Sequence, residues 1–426
     1  MSTRFAPSPT GMLHLGNLRT ALLSYLWAKK CGIPFILRFD DTDRSEHKYV
    51  EAIKADLEWM QISWNYEIFQ SHRKVIYDKW FTICLDKGLI YPAYETKEEL
   101  EEIRKQLAKQ HQAPVYKKKF STQNEVYNRI PHWRLALPSI NIGWNDMIRG
   151  KINISLDTLS DTIIKKENGE YTYMFTSVID DIETDISYII RGEDHVTNTS
   201  IQLYLFQKLG KQNIQFAHLP ILLNVHGNRM SKRHGDESLQ DLKESGLLAI
   251  TLANHMLFIG KNTASYCKTI DELIKDTDFN YSSSQIRWNK DESFKIQNQI
   301  IRMMTDHEIY NTFGIKPQNW DLIKAEIITK DDLAHWNKVF SSHEILVDDE
   351  LDSNLFKEQI PDVPEFLNKY GIHEFFEKIK TLSDKKTILK AIRKILTGKQ
   401  LGPSMHDLLD NIPEQICTLR ITSSIR

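Results

Sequence analysis

Cysteine is scarce in this chain. Cys31, Cys84, Cys267 and Cys417 are scattered through 426 residues with no Cys-x-x-Cys pair. A disulfide framework and a zinc site built from neighbouring cysteines are both disfavoured. Long apolar runs are also missing. The longest, Leu247 to Gly260, contains Thr251, Asn254 and His255, and is too short and too polar to span a bilayer. The opening MSTRFAPSPTG carries Arg4 but no apolar stretch, so nothing there reads as a secretory signal. Internal repeats and low-complexity tracts are absent. With 41% hydrophobic and 26% charged residues, disorder, collagen and coiled coil are excluded as the main state. The expected setting is a reducing cytoplasm, with no membrane partner.

Net charge is lacking too. The 55 basic and 57 acidic residues sum to −2, which makes no case for a nucleic-acid partner. The distribution is uneven. Lys369 to Lys399 holds eight lysines and Arg393 against Glu374, Glu377 and Asp384, a local +6 that leaves −8 for the rest. Such a segment is a solvated helix face or a phosphate-contacting patch, and charge alone favours the first.

What is present is alternation of strand and helix patterns over a length that suits several domains, at roughly 100–200 residues each. Thr3–Ala6 reads as a strand and Pro7-Ser8-Pro9-Thr10-Gly11 as a turn. Asn17 to Lys30 has helical spacing, with Gly32 just beyond its end, and Ile33–Phe39 reads as a buried parallel strand. This is how a doubly wound α/β sheet begins. Ser71 to Glu183 reads as an inserted α+β unit: an amphipathic helix over Glu98–Gln110, then short strands at Trp133–Leu137 and Ile152–Leu156. Ile186–Ile190, a helix over Ser200–Leu209 and a strand over Leu219–Val225 would complete the first sheet. Beyond Asp236 the patterns at Leu247–Ile259, Ser293–Met304 and Lys385–Leu396 are helical.

Two clusters carry chemistry. His14-Leu15-Gly16-Asn17 opens the first helix, where unpaired N–H groups attract phosphate. Gly16 would let a nucleotide lie against the backbone, and His14 and Asn17 would add donors. Asn228-Arg229-Met230-Ser231-Lys232-Arg233-His234-Gly235 follows a turn at His226-Gly227. Its cations suit a polyphosphate, with Lys232 as a point charge. Alone, each has a bland reading: a helix start with an incidental histidine, and a basic surface turn.

PSPTGMLHLGN and the later MSKRHG resemble the HIGH and KMSKS signatures of class I aminoacyl-tRNA synthetases, and between them lie ILRFDDTDRS (Ile36–Ser45) and IIRGEDHVTNT (Ile189–Thr199). In this order the set looks like the glutamyl-tRNA synthetase family, and ILTGKQLGP (Ile395–Pro403) resembles the last part of that family's anticodon-binding region. The resemblance implies an α/β Rossmann-like parallel sheet. It adds an inserted α+β acceptor-binding domain and an all-α C-terminal anticodon-binding region. The expected division is 1–70 and 185–240 for the two halves of the catalytic domain, 71–184 for the insertion, 241–300 for a helical stem-contact domain and 301–426 for anticodon reading.

The implied reaction joins L-glutamate to tRNA through a glutamyl-adenylate, with ATP and Mg²⁺. His14, Asn17 and Lys232 are the catalytic candidates. Pro9, Thr10, Gly11, Gly16, Arg229, Met230 and Ser231 join them as ATP contacts. Arg4, Ala6, Ser8, Asp40, Tyr173, Ser177 and Arg191 are the glutamate contacts. The chemistry of glutamate agrees: two carboxylates and one ammonium need about two cations and one anion. Arg4 and Arg191 would take carboxylates, Asp40 the α-ammonium, and Tyr173 would donate to the side-chain carboxylate.

Some positions depart from the family pattern. Asn17 replaces a histidine, Arg229 a lysine, and Asp40 stands where many relatives have glutamate. Ala93-Tyr94-Glu95 stands where some relatives carry a zinc-binding Cys-Tyr-Cys, so no zinc is expected. A monomer is expected. The glutamate tRNA is the expected partner, with charging of the glutamine tRNA as the open alternative. Three remoter readings are a truncated relative that glutamylates a tRNA base, a tRNA-binding paralogue without catalysis, and an unrelated nucleotidyltransferase. Residues 300–426 argue against the first of these.

Overall fold

A computed structural model describes residues 1–42, 45–111, 113–121, 129–230, 237–261, 265–282, 284–347 and 360–425. The chain divides into two units, one of Met1–Glu244 with Leu252–Asn289 and one of Ser245–Thr251 with Lys290–Arg426.

The first unit is organised by a parallel sheet. Strand β1 (Ser2–Phe5) is buried along its whole length. The chain then turns into α1 (Leu15–Cys31), whose N-cap is His14. Helix α1 ends at Gly32, which takes φ 64° and sends its N–H back to Ala28 and Lys29. Only glycine adopts that left-handed conformation at little cost. Leu18, Ala21, Leu22, Leu23 and Leu26 of α1 are fully buried, as befits a helix covering a sheet. Strand β2 (Phe35–Phe39), α2 (His47–Trp59), β3 (Tyr66–Phe69) and α3 (Lys74–Asp86) follow.

The next segment is antiparallel. Strand β4 (Ile90–Ala93), α4 (Lys97–Lys109), β5 (His132–Leu135), the hairpin β6 (Asn141–Asp146) and β7 (Gly150–Ser155), and β8 (Ile163–Lys165) lie between the halves of the parallel sheet in sequence. Strands β4, β5 and β8 form one small sheet and the hairpin another. Helix α4 starts in a capping box between Thr96 and Glu99. Then come α5 (Tyr173–Glu183), β9 (Ile186–Gly192), α6 (Val196–Lys208) and β10 (Gln215–Leu219). The main sheet runs β10-β9-β1-β2-β3, all parallel. Strand β1 is central, and the order reverses between β1 and β9. In open α/β sheets that reversal leaves a crevice at the carboxyl ends of the strands, where ligands bind.

One expected strand is redrawn. Leu219–Val225 is not continuous: β10 ends at Leu219, and β11 (Leu222–Leu223) pairs with β12 (Ile286–Arg287) in a separate two-stranded sheet. Pro220 lies at the break, and its missing N–H ends the ladder. After β11, Gly227 takes φ +81° in a turn that Asn224 closes onto Asn228. Helices α7 (Leu239–Glu244), α8 (Ala249–Phe258), at which the division into units falls, and α9 (Ile270–Asp276) complete the elements before β12.

The second unit is helical among its described residues. It contains α10 (Lys290–Arg302), α11 (Asp306–Phe313), α12 (Trp320–Ile323), α13 (Lys330–Ser341), α14 (Val363–Lys380), α15 (Lys385–Thr397), α16 (Met405–Asn411) and α17 (Glu414–Ser424). Thr305 with Glu308 and Thr329 with Asp332 form capping boxes. Trp336, Phe375, Ile388, Ile392 and Ile421 are fully buried. Among the described residues no helix is long and apolar enough to cross a membrane.

Candidate active site

A cavity of about 440 Å³ lies at the crevice, lined by the end of β1 (Arg4, Phe5), the following residues Ala6, Ser8 and Thr10, and the start of α1. Tyr173, the end of β9 with Arg191, His195, and Arg229 and Met230 complete the wall that matters here.

At the helix start, the His14 ring caps α1, its Nδ1 accepting the Asn17 N–H at 3.2 Å. The absence of a side chain at Gly16 has a local cause: an added Cβ would lie 3.0 Å from Cε1 of His14. Gly16 therefore leaves room for the capping ring. Opposite, Arg229 approaches Asp194 at 3.8 Å.

Arg191 is the distinctive group. It is 6% exposed. Its Nη2 donates to Thr199 Oγ1 at 2.6 Å and to Gln202 Oε1 at 2.7 Å, Nη1 donates to Tyr173 Oη at 3.2 Å, and Nε to His218 Nε2 at 3.5 Å. All four acceptors are uncharged, and among the described residues no carboxylate lies within ion-pair distance. Burial accordingly pulls the guanidinium below its usual range. One Nη1 hydrogen has no acceptor among the described residues. Tyr173 Oη, having accepted from Arg191, still has its own proton to give. Two adjacent donors and an unanswered positive charge thus face one cavity, an arrangement suited to a carboxylate. His195, beside Tyr173, is pushed down to about 4 by burial and by Arg191, so it is neutral at pH 7.

Arg4 is held differently. Its Nε donates to Asp181 Oδ1 at 3.2 Å, and Arg38 Nη1 reaches the same oxygen at 2.7 Å. Arg38 also pairs with Asp40 at 2.8 Å. Asp180 takes Arg73 at 2.6 Å and Gln70 at 2.7 Å. These interlocked charges fix Arg4 at the cavity wall, with its Nη1 unused among the described residues.

Several expected contacts are placed elsewhere. Asp40 does not line the cavity: its carboxylate is buried and turned onto Arg38, and burial pushes it up to about 6. A group so engaged is not presented to an ammonium. Ser177 lies behind the wall, donating to Tyr173 O at 2.7 Å and accepting from Gln202 at 2.8 Å. Pro9 and Gly11 belong to the same turn without lining the cavity. Ser231 and Lys232 lie outside the described residues. Among the described residues no group of three or more His, Cys, Asp or Glu side chains is placed to hold a metal ion.

The family model for "tRNA synthetases class I (E and Q), catalytic domain" matches residues 1–299. The chain is 36% identical to glutamate–tRNA ligase 1 of Neorickettsia sennetsu over 100% of both chains. It is 34% identical to glutamate–tRNA ligase 1 of Anaplasma phagocytophilum, over 96% of this chain and 95% of that one. The chain belongs to the glutamate–tRNA ligase family of class I tRNA synthetases. A crystal structure of a glutamate tRNA ligase from Elizabethkingia meningosepticum, in complex with its amino acid, superposes with a TM-score of 0.78 at 26% identity, covering 99% of this chain and 98% of that one.

For this family member, sequence reasoning missed the groups around Arg191 and Arg4: Thr199, Gln202, His218, Arg38, Asp180 and Asp181. One signal was available. Arg38 interrupts Ile36-Leu37-Phe39, His218 sits in Phe216-Ala217-Leu219, and Asp180-Asp181 follow Val178-Ile179. Polar residues inside apolar runs are buried only with partners.

Proposed function

We propose that the chain attaches L-glutamate to tRNA in two steps. The α-carboxylate of glutamate attacks the α-phosphate of ATP, giving glutamyl-adenylate and pyrophosphate. The terminal 2′-hydroxyl of the tRNA then attacks the mixed anhydride and releases AMP. The observation that carries this reading is the buried, uncompensated Arg191 beside Tyr173 in the crevice of the parallel sheet. It gives a side-chain carboxylate the counter-charge it needs. A glutamine amide would leave that charge underpaired, which is a strong basis for rejection.

The residues of this chain act by position and charge. Arg4, fixed by Asp181, offers Nη1 to a carboxylate. The N-terminus of α1, with His14 and Asn17, meets phosphate oxygens. Arg229 and Met230 close the other side, and Lys232 is assigned to phosphate charge from the sequence. Mg²⁺ supplies further charge neutralisation on the nucleotide's phosphates. We assign residues 71–184 to the tRNA acceptor end and residues 301–426 to the anticodon. The +6 segment Lys369–Lys399, in the helical unit, supports the latter. The chain is read as a monomer working in the cytoplasm.

The test is acylation of purified glutamate tRNA and glutamine tRNA, separately, with labelled glutamate and ATP. Glutamate on the glutamate tRNA is expected. Charging of the glutamine tRNA as well identifies a chain that serves both. Charging of neither, with tRNA binding intact, overturns the reading.

A further inference from the structure

Strands β9 and β10 run in parallel register, with Arg191 directly opposite His218. His218 is fully buried. Its Nδ1 lies 2.5 Å from Oδ2 of Asp146, a buried carboxylate at the end of β6. The other oxygen of Asp146, Oδ1, accepts the backbone N–H groups of Ile148 and Arg149 at 3.1 Å and of His218 at 3.2 Å. The hairpin is docked on β10 by Met147 N–H to Phe216 O at 2.8 Å.

An ionised carboxylate only accepts, so the His218 proton sits on Nδ1 and Nε2 carries a lone pair. That lone pair faces Arg191 Nε at 3.5 Å and the Thr199 hydroxyl at 2.8 Å, whose one proton is shared between His218 Nε2 and the His195 carbonyl at 3.0 Å. Thr199 Oγ1 in turn accepts from Arg191 Nη2 at 2.6 Å. With the proton on Nε2 instead, an N–H would point at an N–H of the guanidinium. Burial and Arg191 hold His218 below the usual histidine range despite Asp146.

We propose that His218, locked by Asp146 as the Nδ1–H tautomer, is a positioning residue for Arg191. It orients the guanidinium through neutral acceptors and leaves its charge for the carboxylate of glutamate, so it helps set the preference for glutamate over glutamine. The proposal rests on the reading of Arg191 as the group that meets the glutamate side chain.

Asp146→Asn is the direct test. It is nearly isosteric, and its Oδ1 keeps the backbone contacts while its Nδ2–H faces His218 Nδ1 and drives the proton to Nε2. In tRNA charging, the KM for glutamate rises by about tenfold, the loss expected when a hydrogen bond to a charged group is misdirected. The KM for ATP stays unchanged, and the glutamate-to-glutamine preference falls by a similar factor. The ¹⁵N shifts of His218, assigned against a His218 variant, change from the Nδ1–H to the Nε2–H pattern.

His218→Gln and His218→Leu form a second pair. Both lose the contact to Asp146, but only glutamine keeps an acceptor near the Nε2 position, so it recovers much of the glutamate KM that leucine loses. Wild-type glutamate KM in Asp146→Asn and His218→Leu overturns the proposal. So does a parallel rise in the KM for ATP, which marks a general structural role. Arg191→Lys is run alongside. If it charges glutamate like the wild type, the reading of Arg191 itself fails. If it is impaired while Asp146→Asn is normal, only the positioning role of His218 is lost.

Discussion

Arg420 in the helical unit and Arg191 in the α/β unit are both buried with no carboxylate within ion-pair distance among the described residues, and the two are met in opposite ways. In the helical unit, Arg420 is fully buried and donates to five backbone carbonyls, those of Lys338, Val339, Ser342, Glu344 and Leu396. Three of these belong to the last turn of α13 and its cap, where the helix dipole ends negative, and Leu396 lies in the last turn of α15. The guanidinium is saturated and its charge is met by structure. In the α/β unit, Arg191 is met by Tyr173, Thr199, Gln202 and His218, none of them charged or at a helix C-terminus. It is oriented but not neutralised, and it faces a cavity. The same residue type is a clamp where its charge is answered and, in the function proposed above, a receptor where the answer is withheld.

Exchanging the two arginines' losses should break this symmetry sharply. Arg191→Lys removes the fork geometry, and kcat/KM for glutamate in tRNA charging is expected to fall by about 1,000-fold. Lysine keeps the buried charge but leaves some of the four acceptors unanswered, so the thermal midpoint should fall only modestly and the main effect is kinetic. A fall in stability with normal glutamate kinetics would reverse the assignment. Arg420→Met should do the opposite. Five carbonyls lose their donor, so unfolding of the helical unit becomes easier by about 3 kcal/mol in a denaturant titration, while the KM for glutamate stays put. Between them in mechanism, though smaller in size, stands Tyr173→Phe. It deletes one of the two donors facing the cavity and leaves the Arg191 charge, so the KM for glutamate should rise by about tenfold, with the ATP KM unaltered.

The contrast also shows where the sequence was legible. Helix α1 could be read because periodicity, basic residues in its last turn and a following glycine all agree; the structure moves its start only to Leu15. The strand at Leu219–Val225 was misplaced because an apolar run conceals what Pro220 does to pairing. Strand β10 itself begins with a polar residue and carries a buried histidine, so its pattern was weak. Arg4, Tyr173 and Arg191 could be singled out by motif and by the charge of the expected ligand. Their supporting partners could not. Asp146 and His218 are 72 residues apart and meet only through a hairpin docked on a strand edge. Asp40 and Ser177 stand near the right place in sequence, yet their side chains are claimed by Arg38, Tyr173 and Gln202. Position along the chain puts a residue at a crevice, but competition among buried partners decides which atoms face it.

Acid should sharpen the comparison by acting on the two units at different pH. His132, His195, His218 and His255 are all held below the usual histidine range chiefly by burial, and all lie in the α/β unit. His255 is 4% exposed, and burial with the nearby charge of Arg19 pushes it down to about 4. The unfolded chain binds that proton near pH 6.5. At His255 the folded unit therefore takes up fewer protons in between, and that contribution, present above pH 6.5, is lost as pH falls towards 4, while Asp40, raised to about 6, works the other way for one group. For His255 alone the loss is about 1 kcal/mol by pH 5.5. In the helical unit, Asp332 is held below its usual range because Lys399 and the N–H groups of Ile328 and Thr329 outweigh its burial. Its contribution survives until the pH drops below the ordinary carboxylate range. Hydrogen exchange between pH 7 and 5.5 should show amides of the α/β unit losing protection first, and His255→Gln should flatten that dependence. Equal loss in both units over this range would mean that buried neutral histidines are not what distinguishes them.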